Sequence, residues 1–326
     1  MKHKAIGLVL GAMLAAGGVP ALAQTAANYP NRAVTIVVPS AAGGGLDATA
    51  RIIAEGLRRH FGQPFIIENK PGAATALGSQ FVYRAAPDGY TILASPNSPL
   101  VFLPLTKKDL AYDASKFVPV AITGIQAMVL AVKPAFAGKS FADFVASAKA
   151  NPGKMNYGSP GAGSGNHLAS LLFQKAAGFS AVHVPFNAHS LGVQAMLRGD
   201  IDFYLIPVDV VLEHHAAGNM KIFAVGTPQR SRDLPDVPTF RELGLPPEVV
   251  LTIIYAMVAP PGTPPDIAAK LNEGINAAFK MPDIRQRYEA LKIDPTGGSP
   301  ADLEKLIDSE MKLWAPVVKE NGLAGQ

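Results

Sequence analysis

Short β-branched runs alternate with helical patterns along most of this 326-residue chain, and few folds accept that alternation. Strands separated by helices build a mostly parallel sheet wrapped by helices, an α/β architecture. Ala33-Val34-Thr35-Ile36-Val37-Val38 reads as the first strand. A glycine loop follows, then a helix from about Asp47, in which Leu46, Ala50, Ile53, Leu57 and Phe61 recur at helical spacing on one face. Gly62 and Pro64 stop it. A strand over 64–67 comes next, and Glu68-Asn69-Lys70-Pro71-Gly72 turns the chain into a second helix ending near Ala86. Pro87-Asp88-Gly89 makes the turn into a strand over 90–94.

The same order returns in the middle of the chain. Residues 128–132 read as a strand, Ser140 caps a helix to about Ala150, and 155–158 lead into a second glycine loop and a helix over 167–177. Further strands fall at 182–184, 203–206 and 222–225. Leu234-Pro235-Asp236-Val237-Pro238 separates this block from a strand over 252–258, and the rest, from Pro264 to Asn321, reads as helices. There, Leu306, Met311, Trp314 and Val317 form an apolar stripe that packs the last helix onto the body. Two glycine loops in equivalent places indicate two similar lobes. With 48% hydrophobic residues the chain has enough core material for both.

Residues 1–23 begin with Lys2, His3 and Lys4, continue with an apolar run from Ala5 to Ala16, and end in Ala21-Leu22-Ala23. This is the pattern of a secretory signal peptide cleaved after Ala23. The run is too short to span a bilayer, and no later stretch offers about 18 uninterrupted apolar residues, so the mature protein is expected free in the periplasm. The chain has no cysteine, which excludes a disulfide scaffold and the lipidated Cys of an anchored lipoprotein. Losing Lys2 and Lys4 takes the 29 basic residues down by two against 25 acidic ones. No basic stripe with interleaved aromatics remains, so nucleic acid is not an expected partner.

Gly43-Gly44-Gly45-Leu46-Asp47-Ala48 follows a strand, opens a helix and fits G-x-G-x-x-A, with Glu68 at the end of the next strand. On spacing alone this is a dinucleotide fingerprint, but export argues against it because free nicotinamide cofactor is scarce outside the cytoplasm. The second loop runs from Ser159 to His167. It fails as a nucleophile elbow, because Ala162 and Asn166 stand where glycines are needed around Ser164, and no Gly-Lys-Ser/Thr makes it a P-loop. Both loops end at a helix N-terminus with exposed backbone N–H groups and small residues. As tight strand-to-helix turns they need hold nothing. As two helix ends facing one cleft they would clamp an anion. The histidines at 60, 167, 183, 189, 214 and 215 show no H-x-x-x-H or H-E-x-x-H spacing, so no metal or cofactor is expected. His183, in an apolar strand, reads as a hydrogen-bonded packing residue.

Six further segments carry a resemblance. They are Val37-Val38-Pro39 through the glycines to Asp47, Ala50 and Arg51; Gly62-Gln63-Pro64 with Glu68-Asn69-Lys70-Pro71-Gly72; Ala85-Ala86-Pro87-Asp88-Gly89-Tyr90; His183-Val184-Pro185; Leu234 to Thr239; and Ala259 to Pro264. In this order they resemble the extracytoplasmic solute-binding receptors of tripartite tricarboxylate transporters, the Bug receptors. The resemblance implies a two-lobed periplasmic binding protein fold, a type II-like Venus flytrap with a mostly parallel sheet in each lobe. It implies a binding protein and not an enzyme, delivering a small organic acid, mono- or dicarboxylate, to a large and a small membrane subunit. A monomer is expected, with lobe 1 over 24–124 and 229–326 and lobe 2 over 125–228. Carried over by position, the first loop offers Ser40, Gly44, Gly45 and Asp47 to the ligand, and the second offers Ser159, Gly163, Ser164 and Asn166.

Three departures from the family pattern bear on ligand identity. Leu46 stands where relatives commonly have a small hydroxyl residue, Phe186-Asn187-Ala188 replaces the usual Tyr-Lys-Gly, and Leu205-Ile206-Pro207 replaces Phe-Asp-Asn. An Asp at the place of Ile206 can pair with a ligand ammonium; Ile206 cannot. Leu46, Phe186, Asn187, Ile206 and Pro207 are therefore added to the expected site, and an acid with an apolar or aromatic body and no amino group is expected in it. The rivals are an exported α/β enzyme acting on carboxylates or esters, and a receptor that signals to a sensor kinase.

Overall fold

The computed structural model describes residues 28–325; the expected signal peptide lies outside them. Lobe 1 opens with β1 (Val34–Val38), α1 (Gly45–Phe61), β2 (Phe65–Asn69), α2 (Ala76–Tyr83), β3 (Thr91–Ser95) and a short α3 (Leu103–Thr106). The 15-residue β4 (Val118–Val132) then carries the chain into lobe 2. Lobe 2 holds α4 (Phe141–Ala150), β5 (Asn156–Ser159), α5 (Gly165–Ala177), β6 (Val182–Pro185), α6 (His189–Arg198), β7 (Phe203–Pro207), α7 (Val208–Ala216) and β8 (Lys221–Val225). The chain returns through β9 (Thr252–Ala259) to α8 (Pro265–Ala278), α9 (Pro282–Ala290) and α10 (Pro300–Glu320).

The strands join in the order β2-β1-β3-β9-β4-β7-β5-β6, with β8 on β4. In lobe 1, β1 pairs in parallel with β2 and β3, and β9 runs antiparallel to β3 and β4. In lobe 2, β5 pairs in parallel with β6 and β7, while β4 runs antiparallel to β7 and β8. Each lobe is thus a parallel sheet with one antiparallel member, and that member is the strand arriving from the other lobe. The hand-over is sharp: Ala127 pairs with Thr252 of β9, and the next residue, Met128, pairs with Pro207 of β7. The return crossing lies beside it, where Met128 N donates to Leu251 O and Leu251 N donates to Gly226 O.

The expected lobe boundary near 229 does not match the packing. Leu234 and Val237 join the cluster of Val129, Met196 and Val211, and the Phe240 ring stands 5.3 Å from Phe173 and 6.2 Å from Phe141. Leu234, Val237 and Phe240 therefore pack on lobe 2, while Arg232 and Asp233 pair with Glu289 and Lys292 of lobe 1. The core of lobe 1 joins Ile36 and Val38 of β1 to Ile53 and Leu57 of α1 and Leu271 of α8, the face that the sequence spacing predicts for α1. Lobe 2 has an aromatic core in which the Phe144 ring stands 5.4 Å from Phe203. Ser140 forms a reciprocal cap on α4, and Trp314 is buried on α10, both as the sequence predicts. The second helix is shorter than expected, because Ala73, Ala74 and Thr75 take positive φ before it and it stops at Tyr83, ahead of Pro87. Among the described residues no helix is long and apolar enough to cross a membrane.

Candidate ligand-binding cleft

The first glycine loop joins β1 to α1 and is tied down by one carboxylate. Asp47, buried, accepts from Gly43 N at 3.0 Å, from both Nε and Nη2 of Arg51, and from Asn69 Nδ2 at 2.9 Å. Hydrogen bonding to Arg51 holds its carboxyl down at about 2. Asn69 also donates to Ser40 O. With its oxygens engaged in this way, Asp47 shapes the loop. The N-cap of α1, Gly44, makes no side-chain bond to the helix, so the first amides of α1 lack intrahelical acceptors. The hydroxyl of Ser40 is buried and has no partner, a costly state for a polar atom unless something arrives to bond it.

The second loop joins β5 to α5. Ser159 is fully buried, and its Oγ accepts from Gly161 N and lies 2.6 Å from His183 Nε2. Ser164 is the N-cap of α5: its Oγ accepts from His167 N and donates to Gly161 O. Gly163 N donates to His167 Nδ1 at 3.1 Å, and Asn166 Nδ2 donates across to Leu205 O at 2.7 Å. The amides of Gly165 and Asn166, in the first turn, have no intrahelical acceptor. They sit at the positive end of the helix dipole, a place that favours an anion.

A cavity of about 450 Å³ opens between the lobes in front of this helix, within the size range of small-molecule sites. Pro160 to Asn166 form its lobe 2 wall; Asn97, Ser98, Phe102, Leu103 and Lys107 form the opposite wall, and Met128 and Ile253 of the crossing strands form its floor. The approach is close: a Cβ added to Gly165 would meet Phe102 Cε2 at 2.8 Å. Among the described residues, Lys107 is the charged side chain in the lining, and no carboxylate lines the cavity.

The expected residues divide into three groups. Gly163, Ser164 and Asn166 line the cavity and Ser159 braces it from behind. Ser40, Gly44, Gly45 and Asp47 stand outside its lining, although a Cβ on Gly45 would come 3.2 Å from the Tyr255 hydroxyl, two residues along β9 from Ile253. The remaining five reflect a choice of face. Ile206 is fully buried, paired with Val129 in the core with Val193 and Met196, and Leu46 is buried with Ala50 and Ile53. The expectation that these two side chains face the ligand is corrected: both point into lobe cores. Pro207 is buried at the start of α7, Phe186 is half-buried against Gly192, and Asn187 is exposed. His183 is hydrogen-bonded, as expected.

Residues that the sequence reading passed over complete the cleft. Asn97, Phe102 and Lys107 follow β3, in the place after a strand where the two glycine loops also lie; the Pro96-Asn97-Ser98-Pro99 turn was the available signal. Tyr255 Oη donates to Gln126 Oε1, and Gln126 Nε2 donates to Asp209 Oδ1 at 2.8 Å, which links the two lobes beside the crossing strands. Asp209 is exposed as a residue, yet desolvation pushes its carboxyl up.

Two α/β lobes joined by crossing strands around a cleft define a periplasmic binding protein. Comparison with known proteins gives the family: the description "Tripartite tricarboxylate transporter family receptor" matches residues 49–323, and the chain belongs to that family of binding receptors, which is not an enzyme family. It is 33% identical over 316 residues to Protein BugT of Bordetella pertussis, covering 96% of each chain. Among solved structures, it is similar to MatC from Rhodopseudomonas palustris with bound malate, at 31% identity and a TM-score of 0.75 over 89% of this chain and 100% of that one. It is also similar to an R. palustris protein solved with adipate, at 28% identity and a TM-score of 0.79 over 92% of this chain and 100% of that one.

Proposed function

We propose that this chain, as a monomer in the periplasm, captures a small organic carboxylate between its lobes and delivers it to the large and small membrane subunits of a tripartite tricarboxylate transporter. One carboxylate lies against the Gly165 and Asn166 amides, with Ser164 and Gly163 beside it. Ser40, Gly44 and Gly45 close on the ligand from lobe 1. The observation that carries this reading is the pairing of a helix N-terminus with a cavity that has a lysine and no carboxylate in its wall. Phe102, Leu103, Met128 and Ile253 suit an apolar or aromatic body, and an ammonium group would find no carboxylate in the lining to pair with. Two relatives solved with acids, malate and adipate, support the carboxylate.

A thermal-shift screen against mono- and dicarboxylates tests it. A ligand at 100 times its dissociation constant adds about 2.7 kcal/mol to the folded state, a rise of several degrees for a chain of this size. At least one acid should produce that rise while its amino derivative produces a smaller one. A flat response across the panel, or a larger response to the amino acids, rejects the reading.

A further inference from the structure

We infer that His167 is a positioning residue of the ligand loop: its unprotonated Nδ1 holds Gly163, and through it the peptide that leads to the Gly165 and Asn166 amides. The inference rests on the functional reading above, but concerns a bond within the unliganded protein. Gly163 takes φ of +75°, a left-handed turn that aims the chain into α5. Its N–H donates to His167 Nδ1, four residues on, at 3.1 Å. An acceptor at Nδ1 fixes the tautomer, with the ring proton on Nε2, and a second proton would set two donors face to face.

The surroundings keep that proton away. His167 is buried, and its ring stacks on His183 with centroids 4.2 Å apart and on Tyr157 at 6.1 Å. His183 in turn holds Ser159 Oγ at 2.6 Å, and Ser159 bonds Gly161. The titratable groups packed around the pair are Tyr157 from β5 and the two imidazoles themselves, from α5 and β6, with Lys107 across the cavity. Burial first, and His183 second, take the His167 imidazole down to about 4; burial also lowers His183. The histidines thus brace both ends of the loop, Gly161 and Gly163, from inside lobe 2.

Two variants separate this role from mere packing. His167→Phe keeps the stacked ring and removes the acceptor; His167→Asn places an oxygen where Nδ1 stood and cannot titrate. The first readout is the Gly163 amide resonance of the unliganded protein between pH 3.5 and 7.5. In the parent it should move with a midpoint near 4; it should stay flat in His167→Asn, and in His167→Phe it should be displaced throughout, with faster amide exchange. The second readout is calorimetry with adipate at pH 7: His167→Phe should bind about tenfold more weakly, or about 1.4 kcal/mol, and His167→Asn within about threefold of the parent. A Gly163 amide in His167→Phe that matches the parent overturns the inference, as does equal adipate affinity in parent and His167→Phe. If the parent itself binds neither adipate nor any other acid, the functional reading fails, and the amide titration still decides the role of His167.

Discussion

Replacing Ser164 with Asp puts a negative charge where the proposed clamp needs none. Ser164 caps α5 through Oγ and lines the cavity. Asp is as good an N-cap as Ser, so the helix start should survive, with the His167 N–H still bonded. The new carboxylate would sit about 5 Å from a ligand carboxylate held at the Gly165 and Asn166 amides. At an effective dielectric near 20 the repulsion is about 3 kcal/mol, which weakens binding about a hundredfold. Ser164→Asn, a neutral cap of similar quality, is the control and should bind within about threefold of the parent. Isothermal calorimetry with the best acid from the screen reads the difference, and circular dichroism checks folding. If Ser164→Asp folds and binds as tightly as Ser164→Asn, the anion is not at the start of α5, and the reasoning fails.

Gly165→Val should act as a wedge: the added Cβ meets Phe102 at 2.8 Å, and Phe102 is backed by Trp314 at 5.7 Å. Small-angle scattering at saturating acid should then show a larger radius of gyration than the liganded parent, and an identical profile would show that the lobes do not close there. Lys107→Gln should weaken adipate about fivefold and leave hexanoate unchanged, because an exposed ion pair is worth about 1 kcal/mol; equal effects on both would remove Lys107 from the site. His167 has a folded value lowered from 6.5 to about 4, so the unfolded chain binds the extra proton and stability is lost as pH falls through that window. The loss is about 3 kcal/mol between pH 6.5 and 4. Denaturant unfolding across this range should show a steeper loss in the parent than in His167→Phe, because His183 and His189, also lowered by burial, titrate in both.

The legible parts were those where local chemistry decides. The spacing of Leu46, Ala50, Ile53 and Leu57 placed α1, and Gly62, at φ of 69°, ends it. The second loop was legible because a helix N-terminus presents free amides whatever packs around it, and Gly163, Ser164 and Asn166 line the cavity. β4 was read only over its last five residues. Pro119 and Gly124 look like breaks, but register shifts in the pairing with β9 absorb them. Ile206 was misplaced for a related reason: all five residues of β7 are buried, so no alternation tells which face meets the core. Phe102 and Lys107 carry no local signal of their own, since they become cavity wall only when lobe 1 meets the loop of lobe 2.

The central claim is that a carboxylate, by its charge, is what the cleft holds. Calorimetry with the acid of largest thermal shift and with its uncharged amide tests this most directly, because the two differ little in shape. The amide should bind at least about a hundredfold more weakly, a difference of about 2.8 kcal/mol. Equal affinity for acid and amide would contradict it.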